Sequence, residues 1–222
     1  MPQAGMHALV GVLARRSTNK KSWLFLGVLL GSMLPDLDNY AVAVATVTGQ
    51  DAHGLHRTFT HSVFTILVVL AVFYAIGAVR KDVRWSNLGL GLGIGIGLHM
   101  ALDLVLWFNG VSLFWPLGSE LNFWANTTPP DIFVKILEPA EMLFFGLYFL
   151  WLNRTAQSQN TDIPRQKTSR IWMIATLGLF VVFTVLGYMD INVTTVFGAL
   201  YLVALTAAFV MTIQMRQTVE AH

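Results

Sequence analysis

Seven consecutive residues, His56-Arg57-Thr58-Phe59-Thr60-His61-Ser62, place two imidazoles, a guanidinium and three hydroxyls just ahead of the apolar run 63–79. Imidazole nitrogens suit divalent transition metals, a guanidinium suits anionic oxygens, and hydroxyls donate to either. Ionisable groups are costly at membrane depth and usually serve a partner or a cavity there. The stretch therefore reads as half of a metal site, whose other half must come from elsewhere in the chain.

Three further segments offer that half. Asp36 and Asp38 follow Pro35, where the apolar run 23–34 must break for want of an N–H. If the chain is extended there, residues two apart face one side together and a cation could sit between them; the alternative is a polar helix end. His99 and Asp103 are four apart in an otherwise apolar run, hence on one helix face. Glu141 has no obvious local partner, whereas Glu138 lies three residues from Lys135, so Glu141 is the better ligand or general base. His7 is a weaker ligand candidate, and His53 reads as a solvated loop residue.

The elements that must position these groups are membrane spans. The chain has 222 residues, of which 55% are hydrophobic and 12% charged, with mean hydropathy +0.61. Soluble domains carry roughly twice that charged fraction. Apolar runs at 23–34 (resuming at 40–47), 63–79, 88–108, 132–152, 171–188 and 193–213 approach the ~20 residues needed to cross a bilayer. The expected architecture is all-α: a polytopic bundle of about six spans preceded by a short N-terminal helix carrying His7. Residues 1–152 would form the core and 171–213 an accessory transmembrane hairpin.

The sequence pI of about 9.0 does not point to nucleic acid, because the basic residues occupy alternate loops: Arg15, Arg16, Lys20 and Lys21; Arg80, Lys81 and Arg84; Arg154, Arg165, Lys167 and Arg170. That is the positive-inside pattern of a multi-pass inner-membrane protein with cytoplasmic basic loops. A cleaved secretory leader is the rival reading of the N-terminus, with Ala41-Val42-Ala43 after the run 23–34. The long segment before that run favours retention. The absence of cysteine removes thiolate ligands and disulfides. Glycines at 89, 91, 93, 95 and 97 miss the dinucleotide-binding spacing and instead form overlapping G-x-x-x-G rows that let another helix approach closely.

Counting at the helical rise from each basic boundary, His99 comes about 18 Å above Asn87 and Asp103 about 24 Å, Glu141 about 18 Å above Asn153, Asp36 about 21 Å above Ser22 and His61 about 28 Å above Arg80. His7 is lower, about 12 Å above Arg15. Groups far apart in sequence thus fall near one level, towards the outer side of the membrane.

In this order, His7, Leu34-Pro35-Asp36-Leu37-Asp38, the His56–Ser62 stretch, His99-Met100-Ala101-Leu102-Asp103 and Leu113-Phe114-Trp115-Pro116 resemble the motifs of the LexA-regulated, membrane-bound metal-dependent hydrolase family, over about residues 5–145. The ligand order is similar, more loosely, to that of zinc-dependent phospholipase C. Where family members often carry a histidine after the second aspartate, this chain has Asn39. The resemblance implies a phosphoester hydrolase acting on a lipid or lipid-linked substrate. His7, Asp36, Asp38, His56, His61, His99 and Asp103 would hold one or two divalent ions, zinc first and manganese or iron next. Arg57, Thr60 and Glu141 would be the catalytic groups, Arg57 gripping a phosphate oxygen and Glu141 taking a proton from water. Two other classes use the same residues: a transporter or ion-conducting protein, for which no inverted repeat is apparent, and a non-catalytic scaffold stapled by metal.

Overall fold

The computed structural model describes residues 4–18 and 21–221; Lys20 of the first basic stretch lies outside them. Among the described residues the helices are, in chain order, α1 (Ala4–Leu13), α2 (Arg15–Thr18), α3 (Leu24–Met33), α4 (Asn39–Thr48), α5 (Val63–Arg80), α6 (Val83–Leu106), α7 (Asp131–Gln159), α8 (Ile163–Tyr188), α9 (Thr194–Gln214) and α10 (Arg216–Glu220). The only paired extended residues among them are Val111 and Leu121, in an isolated antiparallel bridge. The described chain is all-helical, as its long apolar runs imply.

Among the described residues, four helices are long and apolar enough to cross a membrane: α5, α6, α8 and α9. On α5, Leu67, Val68, Val72 and Tyr74 are exposed, and on α8, Ile171, Ile174, Val181, Val182 and Val185. Such faces suit lipid rather than water. The run 23–34 yields only the ten-residue α3, all of whose residues are buried. The run 132–152 lies in α7, whose first half carries Asp131, Lys135, Glu138 and Glu141.

The described residues form two compact units, one within 10–128 and the other made of 4–9 with 129–221. In the second, α7 packs along α8 and also meets α9 and α10. Tyr148 and Thr212 share a 2.6 Å hydrogen bond between hydroxyls, Phe149 stacks on Trp172, and Ser169 donates to the Phe149 carbonyl at 3.1 Å. The carboxylate of Asp162 accepts both the N–H and the hydroxyl of Thr218, each at 2.8 Å, which ties α10 to the α7–α8 turn.

In the unit 10–128, α6 is held between α3 and α5, and its glycine rows are divided between them. Gly91 and Gly95 face α3, where a Cβ would run into the Leu24 and Val28 carbonyls; Gly27 and Gly31 answer from α3, against the Leu88 and Leu92 carbonyls. Gly89 and Gly93 face Phe73, Ile66 and Leu70 of α5, while Gly97 faces open space. The α3–α6 contact is therefore backbone on backbone, the close approach that only small residues allow.

Beyond α3, Pro35 opens a 3-10 turn, Pro35–Asp38, that leads directly into α4. The sequence suggested an extended segment with both aspartates on one side; the turn replaces it. Proline lacks the N–H that a helix start does not need, and its φ is already helical. With Leu34, Asp38 and Asn39 all in the right-handed helical region, Asp36 and Asp38 leave the chain in different directions.

The seam between α3 and α6 predicts a paired result. Gly95→Ala overpacks a contact with no room for a methyl and should cost roughly 1–3 kcal/mol, read as a lower thermal midpoint in detergent. Gly97→Ala, which meets nothing within 4 Å, should leave the midpoint unchanged or slightly raised.

Candidate metal centre

The α3–α6 seam sets the first contact of the site. It brings the Ser32 carbonyl, in the last turn of α3, within 2.8 Å of His99 Nδ1. A carbonyl can only accept, so Nδ1 carries the hydrogen and Nε2 presents its lone pair. Asp103, one turn further along α6, shares that face, and its carbonyl closes the helix by accepting the Trp107 N–H at 3.0 Å. The second contact comes from the 3-10 turn Phe59–His61 at the start of α5. Ser62 caps that helix by accepting the Phe64 N–H at 3.2 Å, which fixes where His61 enters.

Asp38 arranges the histidine stretch. Its Oδ1 is 2.6 Å from His56 Nδ1. Its Oδ2 accepts the Thr60 hydroxyl at 2.7 Å and the Arg57 N–H at 3.2 Å, and lies 3.3 Å from His61 Nδ1. Thr60 Oγ1 is itself 3.0 Å from His61 Nδ1. Because the hydroxyl donates to Asp38, it is free to accept from the imidazole. All three histidines thus turn Nδ1 towards oxygen, the arrangement that aims Nε2 of a ligating histidine at a metal.

Arg57 takes a left-handed backbone (φ 62), a conformation costing a non-glycine residue about 1–2 kcal/mol. In return its N–H reaches Asp38 while its carbonyl accepts the Ser112 N–H at 3.0 Å. Burial pulls the His61 imidazole down, yet the carboxylates of Asp103 and Asp38 raise it to about 9.

The inner donors meet at close range. His61 Nε2 and His99 Nε2 are 3.0 Å apart. Asp103 Oδ2 is 3.4 Å from the former and 3.5 Å from the latter, and Asp36 Oδ1 is 3.9 Å from His99 Nε2. Ligands about 2.0–2.1 Å from a tetrahedral zinc stand about 3.3 Å from one another, so these spacings match the edges of one coordination shell. Asp36 Oδ2 is buried without a hydrogen-bond partner, an expensive state for a carboxylate unless a cation answers it. Two buried imidazole nitrogens and the buried Asp36 carboxylate fit a divalent ion, with the Asp103 carboxylate beside both imidazoles. Asp36, His61 and His99 form one group able to hold it, and Asp38, His56 and His61 form a second, more exposed one.

The structure thus brings together Asp36, Asp38, His56, Arg57, Thr60, His61, His99 and Asp103. Arg57 Nε lies 3.7 Å from Asp103 Oδ2, Nη1 donates to the Asn109 carbonyl at 3.3 Å, and the guanidinium stands over Trp107, 5.9 Å from the ring centroid. His7 and Glu141 belong to the other unit; both are buried, and Glu141 Oε1 accepts the Gly5 N–H at 2.6 Å, capping the first turn of α1. His53 is exposed, its N–H bonded to Asp51. Two contributors were not among the candidate site residues. Ser32 acts through its main-chain carbonyl, which no side-chain pattern reveals. Asn39 donates to the Asp36 carbonyl at 2.9 Å and approaches its Oδ1 at 3.5 Å, steadying the aspartate before it.

Compared with known proteins, the sequence matches the family described as YdjM inner membrane protein over residues 3–217. No curated protein and no solved structure matches it.

The geometry gives the two aspartates of the turn different weights. Asp38→Asn weakens the orientation of His56 and His61 and should lower metal affinity about 10–100-fold. Asp36→Asn removes a donor and should lower it further. Equilibrium dialysis of the detergent-purified variants, followed by elemental analysis, checks the order.

Proposed function

The chain belongs to the YdjM inner membrane protein family, and on that premise we propose that it is a membrane-embedded, metal-dependent hydrolase of phosphoesters, acting on a lipid or lipid-linked substrate. The observation that supports this reading is the convergence of two Nε2 lone pairs with the carboxylates of Asp36 and Asp103, backed by Asp38. When bound, a divalent ion supplies Lewis acidity, acidifying water and polarising a phosphoryl oxygen; zinc suits the donor set best.

The chain's own residues supply position and charge. Asp36, His61, His99 and Asp103 hold the ion, while Asp38 and Thr60 fix the tautomer and angle of His61. His56, with its side chain 21% exposed, is the histidine nearest solvent and lies where a substrate group or a second ion would enter. Arg57 adds a positive charge beside Asp103, which favours an anionic ester.

The same reading extends the four apolar helices to six crossings, with α3 continued through its turn into α4 and with α7 as the others. The positive charge of Arg80, Lys81 and Arg84 favours a cytoplasmic α5–α6 turn. The opposite ends of those two helices, with His61 and Asp103, then lie on the outer side.

One observation favours a second reading, a metal staple without catalysis: Asp36, His61, His99 and Asp103 are each no more than 2% exposed, and closed sites are characteristic of structural metals. One experiment separates the two. Purified protein should carry metal in stoichiometric amount and hydrolyse phosphoesters in a chelator-sensitive manner. The Asp36→Asn/Asp103→Asn variant should be extracted normally yet hold no metal and turn over nothing. Metal without hydrolysis of any phosphoester tested, together with a lower melting temperature on chelation, would establish the staple; protein without metal would overturn both.

A further inference from the structure

The stretch after α6, residues 107–128, carries a single charged side chain, Glu120, and turns six large apolar groups outward: Phe114, Trp115, Leu117, Leu121, Phe123 and Trp124, with Leu117 80% and Phe123 61% exposed. A water-facing loop rarely concentrates so much apolar surface. These side chains are also held in place. Val111 and Leu121 exchange both backbone hydrogen bonds at 2.9 Å, Asn122 donates to the Phe108 carbonyl and Trp124 Nε1 to the Val105 carbonyl, each at 3.0 Å. The loop is further tied to the histidine stretch: the Val63 N–H donates to the Leu113 carbonyl at 2.9 Å, the Ser62 hydroxyl to the Trp115 carbonyl at 2.9 Å, and the Trp115 ring meets Phe59 edge-on.

These anchors join the loop to the neighbouring ends of two membrane-crossing helices, the start of α5 and the end of α6. Phe64 and Leu67 of α5 and Val105 and Leu106 of α6 are exposed at those ends, so the apolar surface of the loop continues that of the spans. Aromatic residues with little charge, at the level where spans end, mark the membrane–water interface.

We propose that residues 107–128 are seated in the lipid bilayer at headgroup depth, with Phe114, Leu117 and Phe123 reaching into the acyl region. The bilayer is the occupant of this surface. Because the same backbone bonds hold Arg57 and Ser62, the seat also sets the depth of His61 and Asp103.

The native chain has no cysteine, so nitroxide labels can be placed singly at Leu117→Cys and Phe123→Cys, with Gln157→Cys on the exposed end of α7 as the comparison. The full-length protein is reconstituted in phosphatidylethanolamine/phosphatidylglycerol vesicles and its saturation measured with oxygen and with a neutral nickel chelate. Labels at 117 and 123 should relax more with oxygen than with nickel, and the label at 157 the reverse. Nickel dominance at 117 and 123 would place the loop in water and overturn the proposal. So would shielding from both reagents with spin–spin broadening, which would mean that a second copy covers it. None of these outcomes depends on bound metal or turnover.

Discussion

The site depends on the contact between α3 and α6, where Gly27 and Gly31 lie directly against Gly91 and Gly95. With no side chain interposed, the end of α3 comes so close that a main-chain oxygen becomes the partner of His99. The tautomer of that histidine follows from helix packing alone. The turn that carries Asp36 begins two residues after α3 ends, so the same contact delivers a carboxylate to the imidazole it has just oriented. The orientation of His99 and the placement of Asp36 are here consequences of one steric fact.

A second layer completes the arrangement from the other side of the pocket. Asp38 gathers His56, Thr60, His61 and the Arg57 backbone within 3.3 Å, and the strained Arg57 conformation is what brings the last of these in. Negative charge is concentrated here: Asp36, Asp38 and Asp103 lie close together with one guanidinium beside them. Low-dielectric surroundings make such a cluster costly by itself, which is the physical ground for expecting a cation among the donors.

Much of this was legible in the residue order. Dense imidazole and hydroxyl chemistry at a helix start, an i, i+4 His–Asp pair inside an apolar run, and alternating basic loops each have a direct physical meaning, and the helical class follows from composition. The glycine spacing announced close packing but could not say that one row faces α3 and the other α5, because both partners are equally apolar. The turn at Pro35 was harder. Whether the chain continues helically or extends after a proline is decided by the next few residues, and an Asp-Leu-Asp sequence is compatible with both. That choice separates Asp36, which joins the donors, from Asp38, which steadies the histidines. Glu141 looked unpartnered in sequence because its partner is a backbone N–H, that of Gly5, and main-chain donors leave no trace in residue identity.

The glycine seam has a dynamic consequence as well. Packing made of side chains can slacken by degrees, since each chain has several rotamers to visit. Packing made of main chain has none, so α3 and α6 separate as whole rods or stay together. Ser32, Asp36 and His99 therefore ride on a rigid wall, and whatever compliance the pocket possesses resides opposite it, in the short turn bearing His61.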